Sequence, residues 1–183
     1  MRNIFLAVCI LIMSGCSSLA ESARDERWAV PAAGADNMYK VSDRLYRSAQ
    51  PDAQGMKNIE EIGIKTVISL RSSQKDVKPA EGTDLKLIHV SMRAWDPQYK
   101  DAVTVMRLLN ESDAPILIHC YHGADRTGMM AALYRMVYEG WSREDALDEM
   151  LNGGYGYHSM WKDIVTFIKE VDVDQLKEDT FRE

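Results

Sequence analysis

Apolar positions along the chain change their rhythm repeatedly from Met38 onward. Thr66–Leu70 (TVISL), Leu85–Ser91 (LKLIHVS) and Pro115–His119 (PILIH) are nearly continuous apolar runs of strand length. Met38–Val41 and Leu45–Arg47 are shorter strand candidates on either side of a turn at Ser42-Asp43. Between and after these runs, apolar residues recur every three or four positions. Ala102, Val103, Met106 and Leu109 form one such set, and Met129, Leu133, Met136 and Val137 a second. Ala146, Leu147, Met150 and Leu151 follow, then Trp161, Ile164, Val165 and Ile168. Ser142 with Asp145 three residues later resembles a capping box, and Gly153-Gly154 marks the end of that helix. Strands alternating with helices predict an α/β fold, with a mainly parallel central sheet flanked by helices, in one domain over residues 38–172.

The start of the chain follows another pattern. Arg2 precedes an unbroken apolar run from Ile4 to Met13, and Ser14-Gly15-Cys16 follows, which is the layout of a secretory signal. A helix of that length spans about 15 Å, half of a hydrocarbon core of about 30 Å, so a permanent span is not expected. Small residues before a cysteine resemble the bacterial lipobox, with Met13 where leucine is usual. The resemblance implies a lipoprotein signal peptide over 1–15 and lipidation of Cys16. Ser17 stands where an aspartate would retain the protein at the inner membrane, which implies a lipid anchor in the outer membrane of a Gram-negative cell, facing the periplasm. The plainer alternative is a secretory signal followed by a coincidental cysteine. Residues 16–37 are small, polar and charged without apolar period, and predict a flexible tether with Trp28 as its one large apolar side chain. The acid-rich stretch from Lys169 predicts a fraying end, with an acidic tail over 173–183.

Composition narrows the function classes. The 183 residues are 46% apolar and 27% charged, enough for a core without a structural metal or disulfides. A net charge of −6 argues against a nucleic-acid partner. The three cysteines, 9, 16 and 120, are too few for a disulfide framework. Two of them lie in or beside the signal, which leaves Cys120 to be explained.

Cys120 ends the apolar run Ile116-Leu117-Ile118-His119 and opens the sequence Tyr121-His122-Gly123-Ala124-Asp125-Arg126-Thr127-Gly128 before a helix. A cysteine at the carboxyl end of a parallel strand stands where α/β proteins bind ligands. The residues from Tyr121 to Arg126 can curl into an anion nest of backbone N–H groups, with Gly123 relieving the tight turn. Arg126 can grip two phosphate oxygens in a fork that lysine lacks. The same positive field favours the thiolate form of Cys120. His119 is expected beneath the loop, and the Thr127 hydroxyl is expected to donate to the sulfur.

These residues, HCYHGADRTG, resemble the Cys-x5-Arg signature of the cysteine-dependent protein tyrosine phosphatases. Tyr46-Arg47-Ser48-Ala49-Gln50-Pro51, Ala94-Trp95-Asp96-Pro97 and Tyr134-Arg135 fit the compact dual-specificity group of that superfamily, and the resemblance extends to bacterial periplasmic members. It implies a phosphomonoester hydrolase with Cys120, Arg126, Asp96 and Thr127 as catalytic residues, and with Tyr121, His122, Gly123, Ala124, Asp125 and Arg126 as the substrate-binding loop. Arg47, Ser48, Gln50 and Arg71 are read as holding the loop from beneath. Against this stand a buried inert cysteine, or a lipoprotein that binds phosphate without turning it over.

The leaving oxygen needs a proton and the attacking water a base, and one carboxyl group can serve both. The family takes it from a mobile loop before the signature strand, where Asp96 lies. The alternative for Asp96 is to cap the helix beginning near Gln98. Asp125 is the rival acid; it could instead cap its helix or pair with Arg47 or Arg71. Relatives that act on phosphoinositides share that aspartate but have lysine where this chain has Ala124. Asp101 and Asp113 are weaker candidates. His122 reads either as a substrate contact or as a solvated surface residue. His89 on a strand and His158 at a helix start have no partners at metal-ligand spacing, so neither a metal nor a cofactor is expected. The domain has no room for pocket-deepening insertions, so a shallow site for phosphotyrosine and phosphoserine or phosphothreonine is expected, on a monomer. The competing substrate class is inositol phosphates, lipid headgroups or other small phosphoesters, for which cationic residues such as Arg93 and His122 would converge on the pocket.

Overall fold

The computed structural model describes residues 24–182. The expected signal peptide, Cys16 and the first part of the tether lie outside them. Six strands form one sheet in the order β1 (Val30–Pro31), β2 (Tyr39–Lys40), β3 (Leu45–Ser48), β6 (Ile116–His119), β4 (Thr66–Ser69) and β5 (Lys86–His89). The four strands from β3 to β5 run parallel, and β1 and β2 add an antiparallel edge. The architecture is thus the mainly parallel α/β sheet that the alternation of periods predicts.

Alternation along the central strand divides the core. Ile116 and Ile118 of β6 face the larger cluster, with Leu45 and Ile68 from its neighbours. Leu117 faces the smaller one with Val67, Met56 and Ile59. The larger side is covered by α2 (Tyr99–Asn110), α3 (Asp125–Tyr138), α4 (Arg143–Asn152), α5 (Lys162–Glu170) and α6 (Val173–Phe181), the smaller by α1 (Ala53–Glu61). Helix α3 packs against α2, α4, α5 and α6 as well as β3 and β6, which is why almost its whole length is buried.

Three expectations change. The tether ends earlier than predicted, because the chain from Arg24 is packed on the domain. Ala29 is buried, β1 pairs with β2, and Arg24 donates to Ala29 O at 2.6 Å, to the Tyr155 hydroxyl at 2.9 Å and to Gly153 O. What holds this segment is long-range hydrogen bonding, to which an apolar-period reading is blind. The end expected to fray is α6, capped by Asp172 accepting from Gln175 N at 3.0 Å and anchored by buried Leu176. Tyr99 donates its hydroxyl to Asp179 at 2.8 Å, giving one of the acidic residues a fixed partner. His158 does not start a helix; α5 begins at Lys162. Helix α1 has no predicted counterpart, since Met56 and Ile59 are its only buried large apolar residues. Ser142 does cap α4, accepting from Asp145 N at 3.0 Å.

Candidate active site at the end of the central strand

Ser48, His119 and Ser69 are paired across the sheet, so the carboxyl ends of β3, β6 and β4 finish level. The chain leaving β6 therefore curls at the edge of three parallel strands, where the sheet no longer uses its hydrogen-bonding groups. Three successive carbonyls of this loop are taken from one side. Tyr121 O accepts from Gln50 N at 3.1 Å, His122 O from Asn37 Nδ2 at 2.8 Å and Gly123 O from Arg47 Nη2 at 2.8 Å. In a trans peptide the N–H points opposite to the C=O, so the N–H groups of His122, Gly123 and Ala124 are turned the other way. Among the described residues, no N–H from Tyr121 to Thr127 donates to a protein acceptor; Gly128 is the first, to Ala124 O at 3.0 Å. Gly123 has φ of +72°, and a Cβ there would overlap the carbonyl of Ser48. The loop thus has the backbone arrangement expected of an anion nest, with Arg47 and Gln50 bonded to its carbonyls from the other side and the Ser48 backbone close against Gly123.

Cys120 opens the loop, unpaired and 1% exposed. Arg126 donates from Nη1 to Leu70 O at 3.3 Å and to Met92 O at 3.2 Å, tying the loop to the segments after β4 and β5. Its Nε is buried without a partner among the described residues. Thr127 differs from expectation. Its hydroxyl is buried but makes no hydrogen bond, to the cysteine sulfur or to anything else among the described residues. Among the described residues, the loop thus holds unpaired donors on its N–H groups, on Arg126 and on Thr127.

Beneath it lies a buried pair that the sequence did not reveal. His119 places Nδ1 at 3.0 Å from Cys120 O and Nε2 at 3.3 Å from Asp76 Oδ2. Cys120 O and Asp76 Oδ2 thus hold the ring from both sides. Burial pushes the Asp76 carboxyl up, but the hydrogen bond and charge of His119 and a hydrogen bond from Gln50 at 2.5 Å outweigh it, leaving Asp76 below the usual range. Arg71 donates to Gln50 Oε1 at 3.1 Å and lies over the Tyr121 ring at 5.0 Å, so it supports the loop through both.

The carboxylates separate clearly. Asp96 is half-exposed, accepts from Gln98 Nε2 at 2.6 Å and lies 4.0 Å from Arg93. It does not cap α2, whose N-cap is Gln98 with no side-chain bond. A cleft of about 330 Å³ beside it is lined by Ser91, Arg93, Asp96, Gln98, Lys100 and Asp101. Asp113 lies before β6, at the opposite end of the strand from the loop. Asp125 is 5% exposed and pairs with neither Arg47 nor Arg71; its carboxylate accepts from His158 N at 2.9 Å and meets His158 Nδ1 at 2.9 Å. Folding brings His158 to Asp125 and His122, with one donor atom of each within 4.8 Å of the others, a proximity that no local spacing announces.

Residues 24–166 match the family described as "DSP-PTPase phosphatase fused to NAD+ Kinase". The chain is similar to the dual specificity protein phosphatase TpbA of Pseudomonas aeruginosa, 32% identical over 170 residues, covering 91% of this chain and 78% of the relative. The structure of TpbA in complex with pTyr aligns with a TM-score of 0.80 at 31% identity, over 87% of this chain and 99% of that one. An inositol diphosphatase of Arabidopsis thaliana is 27% identical over 151 residues, 78% of this chain and 72% of the relative.

Proposed function

The chain belongs to the dual-specificity-like phosphatases of the protein tyrosine phosphatase type and is a cysteine-dependent phosphomonoester hydrolase; from that premise we propose how its residues share the reaction. The N–H groups of the loop and the Nε of Arg126 take the non-bridging oxygens of the phosphoryl group. Cys120 Sγ attacks phosphorus, the S–P bond forms, and the P–O bond to the leaving group breaks. Asp96 gives its proton to the leaving oxygen. A water then attacks the cysteinyl phosphate, Asp96 takes the water's proton, the S–P bond breaks and inorganic phosphate leaves. The observation that carries this reading is the run of N–H groups without protein acceptors from Tyr121 to Thr127, in the loop that Cys120 opens. Asp96 is favoured over Asp125 as the acid because it is exposed and borders an open cleft, whereas Asp125 is buried with both oxygens held by His158.

The substrate we propose is a phosphorylated protein segment bearing phosphotyrosine, phosphoserine or phosphothreonine, as the complex of TpbA with pTyr supports. Tyr121 and Trp95, 55% and 58% exposed, are the apolar surfaces available to a peptide side chain beside the loop and the Asp96 turn. A second reading, an inositol phosphate or other small phosphoester, is favoured by Arg93 and Lys100 in the Asp96 cleft and by the inositol diphosphatase relative. Substrate trapping with Cys120→Ser, followed by identification of what is retained, decides between the two. Burst release of aryl product that disappears in Cys120→Ser tests the covalent step itself, and its absence in the native chain would return the protein to phosphate binding alone.

We further propose that the chain acts as a lipid-anchored monomer in the periplasm, held at the outer membrane by acyl chains on Cys16. The apolar run before Cys16 and the serine after it support this. Cys16→Ser should move the protein from the membrane fraction to the soluble one.

A further inference from the structure

The hydrolysis as derived uses neither His158 nor the carboxylate of Asp125, and the two sit in a cluster that the fold assembles with care. Asn37 holds φ at +51°, a left-handed conformation uncommon outside glycine, and its side-chain amide donates to His122 O at 2.8 Å and to Tyr155 O at 2.9 Å. One side chain thereby joins the phosphate loop to the glycine-rich loop after α4. In that second loop Gly154 and Gly156 take positive φ, and the chain then delivers His158. The backbone N–H of His158 fixes one oxygen of Asp125 at 2.9 Å, and its Nδ1 meets the other at 2.9 Å. The rings of His122 and His158 have centroids 5.0 Å apart.

We infer that His122, Asp125 and His158 form a site for a divalent transition-metal ion, with Zn²⁺ the best-matched, at the rim of the phosphate loop. Two imidazoles and one carboxylate are the donors of borderline ions, whereas Ca²⁺ and Mg²⁺ take oxygen. The three donor atoms lie within 4.8 Å of one another. Tetrahedral coordination at about 2.0–2.2 Å places such atoms roughly 3.3 Å apart, so closure is a movement of an ångström or two. His122 is the exposed member and supplies that movement, while Asp125 is buried and held by the His158 N–H, the outer hydrogen bond that orients a ligating carboxylate. Binding replaces the hydrogen bond between Asp125 and His158 Nδ1, and any proton it carries passes to solvent. Three protein ligands leave a fourth position open, and an oxygen of a phosphoester or of water fills it. The site stands on these residues alone and does not depend on the identity of the general acid or the substrate.

The test is calorimetric titration of the full chain with Zn²⁺, repeated on variants, with Co²⁺ as a spectroscopic probe. One equivalent should bind. His122→Ala and His158→Ala, each checked for an unchanged far-ultraviolet spectrum, should weaken binding by more than about 100-fold, and Asn37→Ala by about 10-fold through lost positioning. Co²⁺ should give visible bands of tetrahedral nitrogen and oxygen ligation with no thiolate charge-transfer band, and Cys120→Ser should bind Zn²⁺ as tightly as the native chain. Binding that survives both histidine variants, that vanishes in Cys120→Ser, or that never reaches one equivalent overturns the proposal.

Discussion

Arg126 and Arg135 stand on the same buried helix and are treated in opposite ways. Arg135 has every donor engaged. Its Nε and Nη2 meet the two oxygens of Glu149 at 2.7 and 2.9 Å, its Nη1 meets Val41 O at 3.0 Å and Glu139 at 2.6 Å, and its Nη2 also reaches Arg27 O at 3.2 Å. Glu149 in turn accepts from Ala29 N at 2.6 Å and from the Tyr155 hydroxyl at 2.9 Å. Burial pushes the Glu149 carboxyl up, but these hydrogen bonds and the charge of Arg135 outweigh it, so Glu149 lies below its usual range. Arg126 uses one nitrogen on two backbone carbonyls and leaves its Nε buried and, among the described residues, unpaired. A buried donor without a partner costs about 1–3 kcal/mol. One end of α3 is therefore closed and stabilising, while the other holds donors that a dianion would satisfy. Tyr155 couples them: its hydroxyl bonds Glu149, and its ring lies 3.7 Å from the Arg47 guanidinium that holds Gly123.

The largest effect expected from breaking this contrast is at Cys120. Cys120→Ser changes one buried atom and should lower aryl phosphate turnover by more than about 10⁴-fold, as removal of a nucleophile does, while the urea midpoint stays close to that of the native chain. Turnover within tenfold of native would remove Cys120 from the mechanism. At the closed end, Glu149→Gln leaves the buried Arg135 with only the partly exposed Glu139 to match its charge among the described residues, and should cost about 3–5 kcal/mol in urea unfolding. Specific activity of the folded fraction should change little. A loss under about 1 kcal/mol would mean that the network is no tighter than a surface pair.

Arg126→Lys sharpens the comparison from the open end. It keeps the charge but loses the fork, so kcat/KM should fall by about 10²–10³-fold, the loss typical of one donor to a developing charge. Stability without ligand should stay level or rise, because the unpaired Nε is gone. Inorganic phosphate at a hundred times its Kd should raise native stability by about 2.7 kcal/mol, and by clearly less at that concentration in Arg126→Lys. Equal protection of the two proteins would show that Arg126 does not hold the phosphoryl group.

How much of this was legible follows the distance over which each contact acts. The phosphate loop was readable because strand, cysteine, glycine, arginine and helix are contiguous, and Arg47 and Gln50 because a resemblance marked them. Asp76 reaches His119 across 43 residues and His158 reaches Asp125 across 33, with no local pattern to announce either. The docked segment from Arg24 to Asn37 reads as a tether for the same reason, since its partners Glu149, Gly153 and Tyr155 lie on or after α4. Helices α1 and α6 escaped because each buries too few apolar side chains to set a period, and aspartate caps at Asp52 and Asp172 define their starts. Thr127 differs in another way: it is buried at the start of α3 as its place in the motif implies, but its hydroxyl does not reach the Cys120 sulfur or any other acceptor among the described residues.

The smallest expected effect lies between the two ends, at Asp76. Its carboxylate is wholly buried, held by His119 and Gln50 beneath Cys120, and its folded pKa is depressed below 3.8. A depressed carboxyl contributes stability that is fully present above its unfolded pKa and is lost as pH falls through the folded one. Native unfolding free energy should therefore hold above about pH 5 and decline below it, with Glu149 contributing in the same direction from 4.5 downward. Asp76→Asn cannot ionise, so it should cost about 1–3 kcal/mol at pH 7 and progressively less as the pH is lowered past the folded pKa. Converging urea-unfolding curves at low pH are the mark of that lost charge. A penalty that is the same at pH 7 and pH 3 would mean that Asp76 serves only as a neutral hydrogen-bond acceptor, and that His119 beneath the nucleophile has no anionic partner.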